Sequence, residues 1–173
     1  MAAPPPHVLL FPLPLVGHVS PTLKLAKVLS LRGLLVIFLT TEHVHRRLCG
    51  DDGLNGRPGF FFRSILDGLP ADHPRSAGRF FEVLFSLQAQ LGENYRDLLA
   101  SLHEPRPVTY AIEDMFLPFV AEVGEELGIP VIAFGTSGPC GFWTDFCIPE
   151  LIESGEIPFP GALSKVRHRR PGG

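Results

Sequence analysis

Short apolar runs alternate along the chain with longer stretches whose apolar residues recur every three or four positions. Val8 to Phe11 shows no in-out alternation, as in a strand buried on both faces of a parallel sheet. Leu23, Ala26, Val28 and Leu29 then fall at helical spacing. Ser20 is suited to the N-cap of that helix, Pro21 to its first position and Gly33 to its stop. Leu34 to Leu39 is a second buried strand, completing a βαβ unit. Glu42 to Leu48 reads as a short helix with His43, His45, Arg46 and Arg47 mostly solvated, and Phe60 to Ile65 as a third strand. A long helix runs from Arg79 to Leu102, with Phe80, Leu84, Leu87, Leu91, Tyr95 and Leu98 on its buried stripe. Val108 to Ile112 is the fourth strand and ends at Glu113 and Asp114. A helix from Leu117 to Leu127 stops at Gly128, and Pro130 to Phe134 is the fifth strand. Thr136 and Ser137 are placed to cap a last helix reaching Glu153. Strands alternating with helices predict an α/β fold: a doubly wound, Rossmann-like parallel sheet with strand order 3-2-1-4-5.

Two connections break this rhythm. Asp51 to Gly59 is rich in turn residues. Asp67 to Gly78 is longer than a minimal connection, as binding loops on compact folds often are. After Phe159 periodicity is lost. Residues 160–173, with a basic run from Lys165 to Arg170, read as a disordered, solvated tail, an interaction tail being the alternative.

Composition then excludes some functions. Of 173 residues, 45% are hydrophobic, and 15 basic against 18 acidic residues leave a net charge of −3. No broad positive field recruits nucleic acid or an anionic membrane. Cys140 and Cys147 sit seven positions apart in one expected helix, so their Cα atoms lie ~10.5 Å apart, too far for a disulfide, which needs less than about 7 Å. With Cys49 making an odd count, buried thiols in a reducing compartment are expected. The N-terminal MAAPPPH lacks a positive n-region, and no apolar stretch approaches ~18 residues. Neither a signal peptide nor a membrane span is expected, and a cytoplasmic location is.

The candidate chemistry lies where the expected topology converges. With strand order 3-2-1-4-5, strands one and four are neighbours at the switch point, where open α/β sheets bind ligands. The loop after strand one carries His18, and the end of strand four carries Asp114. A lone loop histidine is most often an ordinary polar residue, and Asp114 is also placed to cap the following helix. Brought together, the two form a pair in which the carboxylate fixes the imidazole tautomer and frees the other nitrogen as a general base. Glu113 competes for this role, but alternation sends Glu113 and Asp114 to opposite faces, so only one of them reaches His18. The chain has no G-x-G-x-x-G after strand one, no P-loop, no G-x-S-x-G elbow and no zinc-type Cys/His spacing.

The stretches HVLLFPLPLVGHVSPTLKLAKVLSLRG, VIFLTTEHVHRRL, AIEDMFLPFVAEVGEELGIPVIAFGTSG and PELIESGEIPFP resemble the N-terminal, acceptor-binding half of plant UDP-dependent glycosyltransferases of secondary metabolism, which have the two-domain GT-B fold. The resemblance implies that residues 1–159 form this domain in incomplete form, without the C-terminal UDP-binding domain. It implies an inverting transfer of sugar from a UDP-sugar to a hydroxyl of a small hydrophobic acceptor. His18 would be the base and Asp114 the group that orients it. UDP-sugar would act as co-substrate, bound only if the missing domain is supplied, and no metal is implied. Gly17 matches a position near the donor phosphates. Thr136 matches a donor contact, with helix capping an equal reading. Phe116, Phe142 and Trp143 fall where acceptor pockets are lined, or else are core. Val16 stands where the family often has Gln. On this reading the 173 residues alone do not catalyse transfer; the alternative is a non-catalytic acceptor-binding or interaction module.

Overall fold

The computed structural model describes residues 5–48, 57–102 and 107–157. The strands are β1 (His7–Phe11), β2 (Leu35–Thr41), β3 (Phe60–Ile65), β4 (Tyr110–Asp114) and β5 (Val131–Phe134). The helices are α1 (Val16–Leu31), α2 (Glu42–Leu48), α3 (Phe80–Ser101), α4 (Pro118–Leu127) and α5 (Pro139–Glu153). The chain divides into two compact units, Met1–Thr136 and Ser137–Gly173. All five strands belong to the first unit. They form one parallel sheet in the order β3-β2-β1-β4-β5, as the alternation of elements predicts.

The unalternating strands are apolar on both sides because both sides are covered. Val8 and Leu10 pack with Val19, Leu23 and Ala26 of α1 on one face. Leu9 and Phe11 pack with Leu87, Leu91 and Tyr95 of α3 and Phe119, Val120 and Val123 of α4 on the other. Close approach of α4 to the sheet depends on Gly124. A Cβ there would meet the Val131 side chain and lie 2.9 Å from the Ile129 carbonyl oxygen. Gly124→Ala is therefore expected to destabilise the fold by about 1–3 kcal/mol, despite the higher helix propensity of alanine. Urea unfolding of the variant checks this.

Three expectations need correction. First, α1 begins at Val16, not after Ser20. His18 and Val19 donate their backbone N–H groups to the Leu15 carbonyl, closing a helical turn ahead of Pro21. The proline costs only the bond to the Gly17 carbonyl, so the helix tolerates it in its second turn. His18 consequently sits on the first turn of a helix and not in a loop. Second, α5 starts at Pro139 after Gly138, with no side-chain cap, so neither Thr136 nor Ser137 caps it. Third, no residue of α5 is buried: Cys140 is an exposed free thiol and Cys147 a half-buried one. The apolar residues of α5 surround the helix, with Phe142 and Phe146 paired on one side and Ile148 and Ile152 on the other. Cys49, most of the Asp51 to Gly59 loop and the 160–173 tail lie outside the described residues.

Candidate active site

At the end of β1 the chain turns at Leu13–Leu15 and enters α1, whose first turn carries His18. At the end of β4, Asp114 points to the α1 face of the sheet, the face of Ile112. The register that pairs Phe11 with Glu113 sets these two segments side by side. His18 Nδ1 lies 2.8 Å from Asp114 Oδ2. The Asp114 side chain is fully buried and that of His18 is 17% exposed.

Asp114 is held at both oxygens. Oδ2 accepts from the Leu13 backbone N–H at 3.3 Å, and Oδ1 from the Phe116 N–H at 3.2 Å. The second bond is a local turn closed by the aspartate itself. Asp114 does not cap α4, whose N-cap is Leu117 without a side-chain bond; its turn closes ahead of the helix, and the carboxylate reaches across strands to the histidine. With a carboxylate as acceptor, Nδ1 carries the imidazole proton and Nε2 keeps its lone pair. Thr136 Oγ1 also lies 2.9 Å from Nδ1. The Nδ1–H is shared between two acceptors, which leaves the threonine hydroxyl hydrogen unspent on this contact. Phe116 stands edge-on to the His18 ring, centroids 5.8 Å apart, and packs in turn on Phe80 at 5.4 Å.

The structure thus brings together His18, Asp114, Thr136 and Phe116. Gly17 lies beside them in the first turn of α1, with open space where a Cβ would stand. Phe142 and Trp143 belong to α5 of the second unit; both are exposed, and Phe142 meets Phe146 edge-on at 5.0 Å. The sequence reading missed the Leu13 N–H and the direct contact of Thr136 with the imidazole. The first is a backbone group with no residue signal. The second was legible only as a hydroxyl just past the end of the strand adjoining β4.

Glu113 points the other way, toward α4, where the Ala121 backbone N–H binds it and its Oε2 has no partner among the described residues. Burial, and then the neighbouring Asp114 charge, push its pKa up to about 7. Its folded pKa lies above the unfolded value near 4.5, so folding is favoured below pH 4.5 and that advantage is lost as pH rises toward 7. Glu113→Gln is expected to flatten this dependence, gaining about 1–3 kcal/mol over the native chain at pH 8 and little at pH 4.5. Urea midpoints at the two pH values check it.

No family model matches the chain. It is 43% identical over 166 residues to a 7-deoxyloganetic acid glucosyl transferase of Catharanthus roseus, covering 91% of this chain and 34% of that enzyme. It is 42% identical over 155 residues to a myricetin 3-O-rhamnoside 1,2-glucosyltransferase of Crocosmia x crocosmiiflora, covering 89% and 33%. The chain is homologous to the N-terminal part of plant UDP-glycosyltransferases. It spans about a third of the length of the curated relatives it matches. The five-stranded sheet is that of the N-terminal domain of GT-B glycosyltransferases. Phytolacca americana UGT2, solved with UDP-2-fluoro-glucose and pterostilbene, superposes with a TM-score of 0.68 at 24% identity, over 89% of this chain and 36% of that one. Among the described residues no helix is long and apolar enough to cross a membrane.

Proposed function

We propose that this chain carries the acceptor side and the general base of a UDP-sugar-dependent glycosyltransferase. The observation that carries the reading is the 2.8 Å contact between His18 Nδ1 and the buried Asp114 carboxylate. Nε2 of His18 takes the proton of an acceptor hydroxyl as the oxygen attacks the anomeric carbon. The bond to UDP breaks, the anomeric configuration inverts, and Asp114 stabilises the imidazolium that forms. Phe116 offers an apolar wall to a small hydrophobic, hydroxylated acceptor, and Phe142 and Trp143 are assigned to the same pocket by resemblance alone. Gly17 leaves backbone accessible at a helix N-terminus, where phosphate oxygens bind well. The Thr136 hydroxyl hydrogen, not needed by His18, is available to the donor sugar or phosphate.

Transfer requires donor and acceptor to be held together, and that positioning supplies about 7–11 kcal/mol of the barrier. Relatives are about three times as long as this chain, which supports the view that donor-holding residues lie outside these 173. The 173 residues alone are therefore assigned no transfer activity. The free thiols Cys140 and Cys147 fit a reducing, cytoplasmic setting. The deciding experiment joins this chain to the remaining two-thirds of the Catharanthus relative and measures UDP release and product anomer with UDP-glucose and a panel of phenolic and terpenoid alcohols. Turnover with inversion supports the reading. Acceptor binding without turnover would favour a non-catalytic binding module.

A further inference from the structure

Helix α1 has two working faces at its N-terminal end. His18 and Thr22 mark one, linked by the Thr22 hydroxyl donating to the His18 carbonyl at 2.8 Å. Val16, Val19, Ser20 and Leu23 lie on the opposite stripe. That second stripe walls a pocket of about 270 Å³, closed on its other side by α2 and by the loop carrying Arg75. The volume equals that of about nine waters at ~30 Å³ each, so it suits a small molecule. His18, Asp114 and Thr136 do not line it.

The chemistry of the walls is uneven. Val19, Leu23, Val44 and Leu48 give an apolar floor, while His43, Arg47 and Arg75 bring nitrogen donors to the rim. Arg75 is committed. Its guanidinium donates to both oxygens of Asp67 and to the carbonyls of Leu69, Pro70 and His73, which uses all five N–H groups. Arg47 is not: among the described residues it has no acceptor, and its side chain is exposed at the pocket mouth. Asp67, the carboxylate bound by Arg75, faces one guanidinium only. Burial, followed by the charges of Arg75 and Arg47 and opposed in part by Asp67, holds the His43 imidazole below its usual value.

We propose that this pocket is a second ligand site, distinct from the His18 site, which takes a small apolar molecule bearing one carboxylate, the charge being met by Arg47. An apolar floor with one uncommitted cation at its edge recognises an amphiphilic anion: the chain is desolvated against Val19, Leu23 and Val44, and the carboxylate stays at the rim where the guanidinium can bind it through two N–H groups. A neutral isostere keeps the first term and loses the second.

The test titrates the 173-residue chain with hexanoate and with hexanamide, following backbone amide resonances by NMR. Saturable shifts are expected at Val44 and Arg47 for hexanoate, with hexanamide roughly tenfold weaker. Arg47→Gln, a change at an exposed side chain, should bring hexanoate down to the hexanamide level, and His18→Ala should leave hexanoate binding as it was. Equal affinity for the two ligands, no saturable hexanoate binding, or indifference to Arg47→Gln would overturn the proposal. So would loss of binding in His18→Ala, which would move the ligand to the catalytic pair and leave the glycosyltransferase reading standing.

Discussion

In the joined enzyme described above, His18→Ala is expected to lower kcat/KM by about 10²–10⁴-fold, the usual range for removing a positioned proton acceptor. The fall should lie mostly in kcat, because the imidazole gains its proton only as the transition state forms. The fold should survive, since the ring is 17% exposed and belongs to neither apolar core cluster, and Asp114 keeps its bonds from the Leu13 and Phe116 N–H groups. Asp114 separates two effects. Asp114→Asn keeps a similar shape but presents an amide to Nδ1, so the tautomer with a free Nε2 lone pair loses its support, and activity should fall by a comparable factor. Asp114→Ala also leaves the Leu13 and Phe116 N–H groups without their carboxylate, adding about 1–3 kcal/mol of instability for each group that water cannot reach. Steady-state kinetics with a thermal melt on each variant read the two effects apart. Full activity in His18→Ala would remove the base from the scheme.

Much of this site was legible before any coordinates because strand alternation and topology are rules about position. Ile112 faces α1, so Asp114 must, and Glu113 must face α4. The order 3-2-1-4-5 then puts the end of β4 beside the turn after β1. What the residues could not give was set by competition between local signals. Ser20 and Pro21 are a good helix start, yet the turn at Leu13–Leu15 supplies an earlier one, and the bonds closed on the Leu15 carbonyl outweigh the single bond Pro21 forfeits. Thr136 could cap a helix or reach inward; Gly138 and Pro139 begin α5 without help, which frees the hydroxyl for the imidazole. The same ambiguity hid the role of the Asp67 to Gly78 loop, where prolines and glycines suggest irregularity but no spacing rule announces which side chain organises it.

That side chain is Arg75, and Arg75→Ala is expected to cost about 3–5 kcal/mol, the range found when one partner of a buried ion pair is removed. Arg75 and Asp67 side chains are each only 6% exposed, and the pair is bidentate, with both nitrogen–oxygen distances 3.0 Å. Asp67 meanwhile fixes its own end of the loop: Oδ1 accepts from the Leu69 N–H, and its carbonyl accepts from the Ser86 hydroxyl of α3 at 2.7 Å. Burial pushes the Asp67 pKa up, but the hydrogen bonds from Arg75 and Leu69 outweigh it and leave the carboxyl below its ordinary value. The pair's stabilisation is therefore complete above the unfolded carboxyl value near 3.8 and is lost as pH falls through the lower folded value. Arg75 also holds a positive φ of 44°, a conformation that opposes any side chain with a Cβ. Arg75→Gly should accordingly lose less than Arg75→Ala, by about 1 kcal/mol. Adding Asp67→Asn to Arg75→Ala should recover part of the loss, because the uncompensated charge is gone. Urea denaturation of the three variants at pH 7 measures the differences; a penalty below about 1 kcal/mol for Arg75→Ala would mean that the loop is held by its backbone turns and not by the guanidinium.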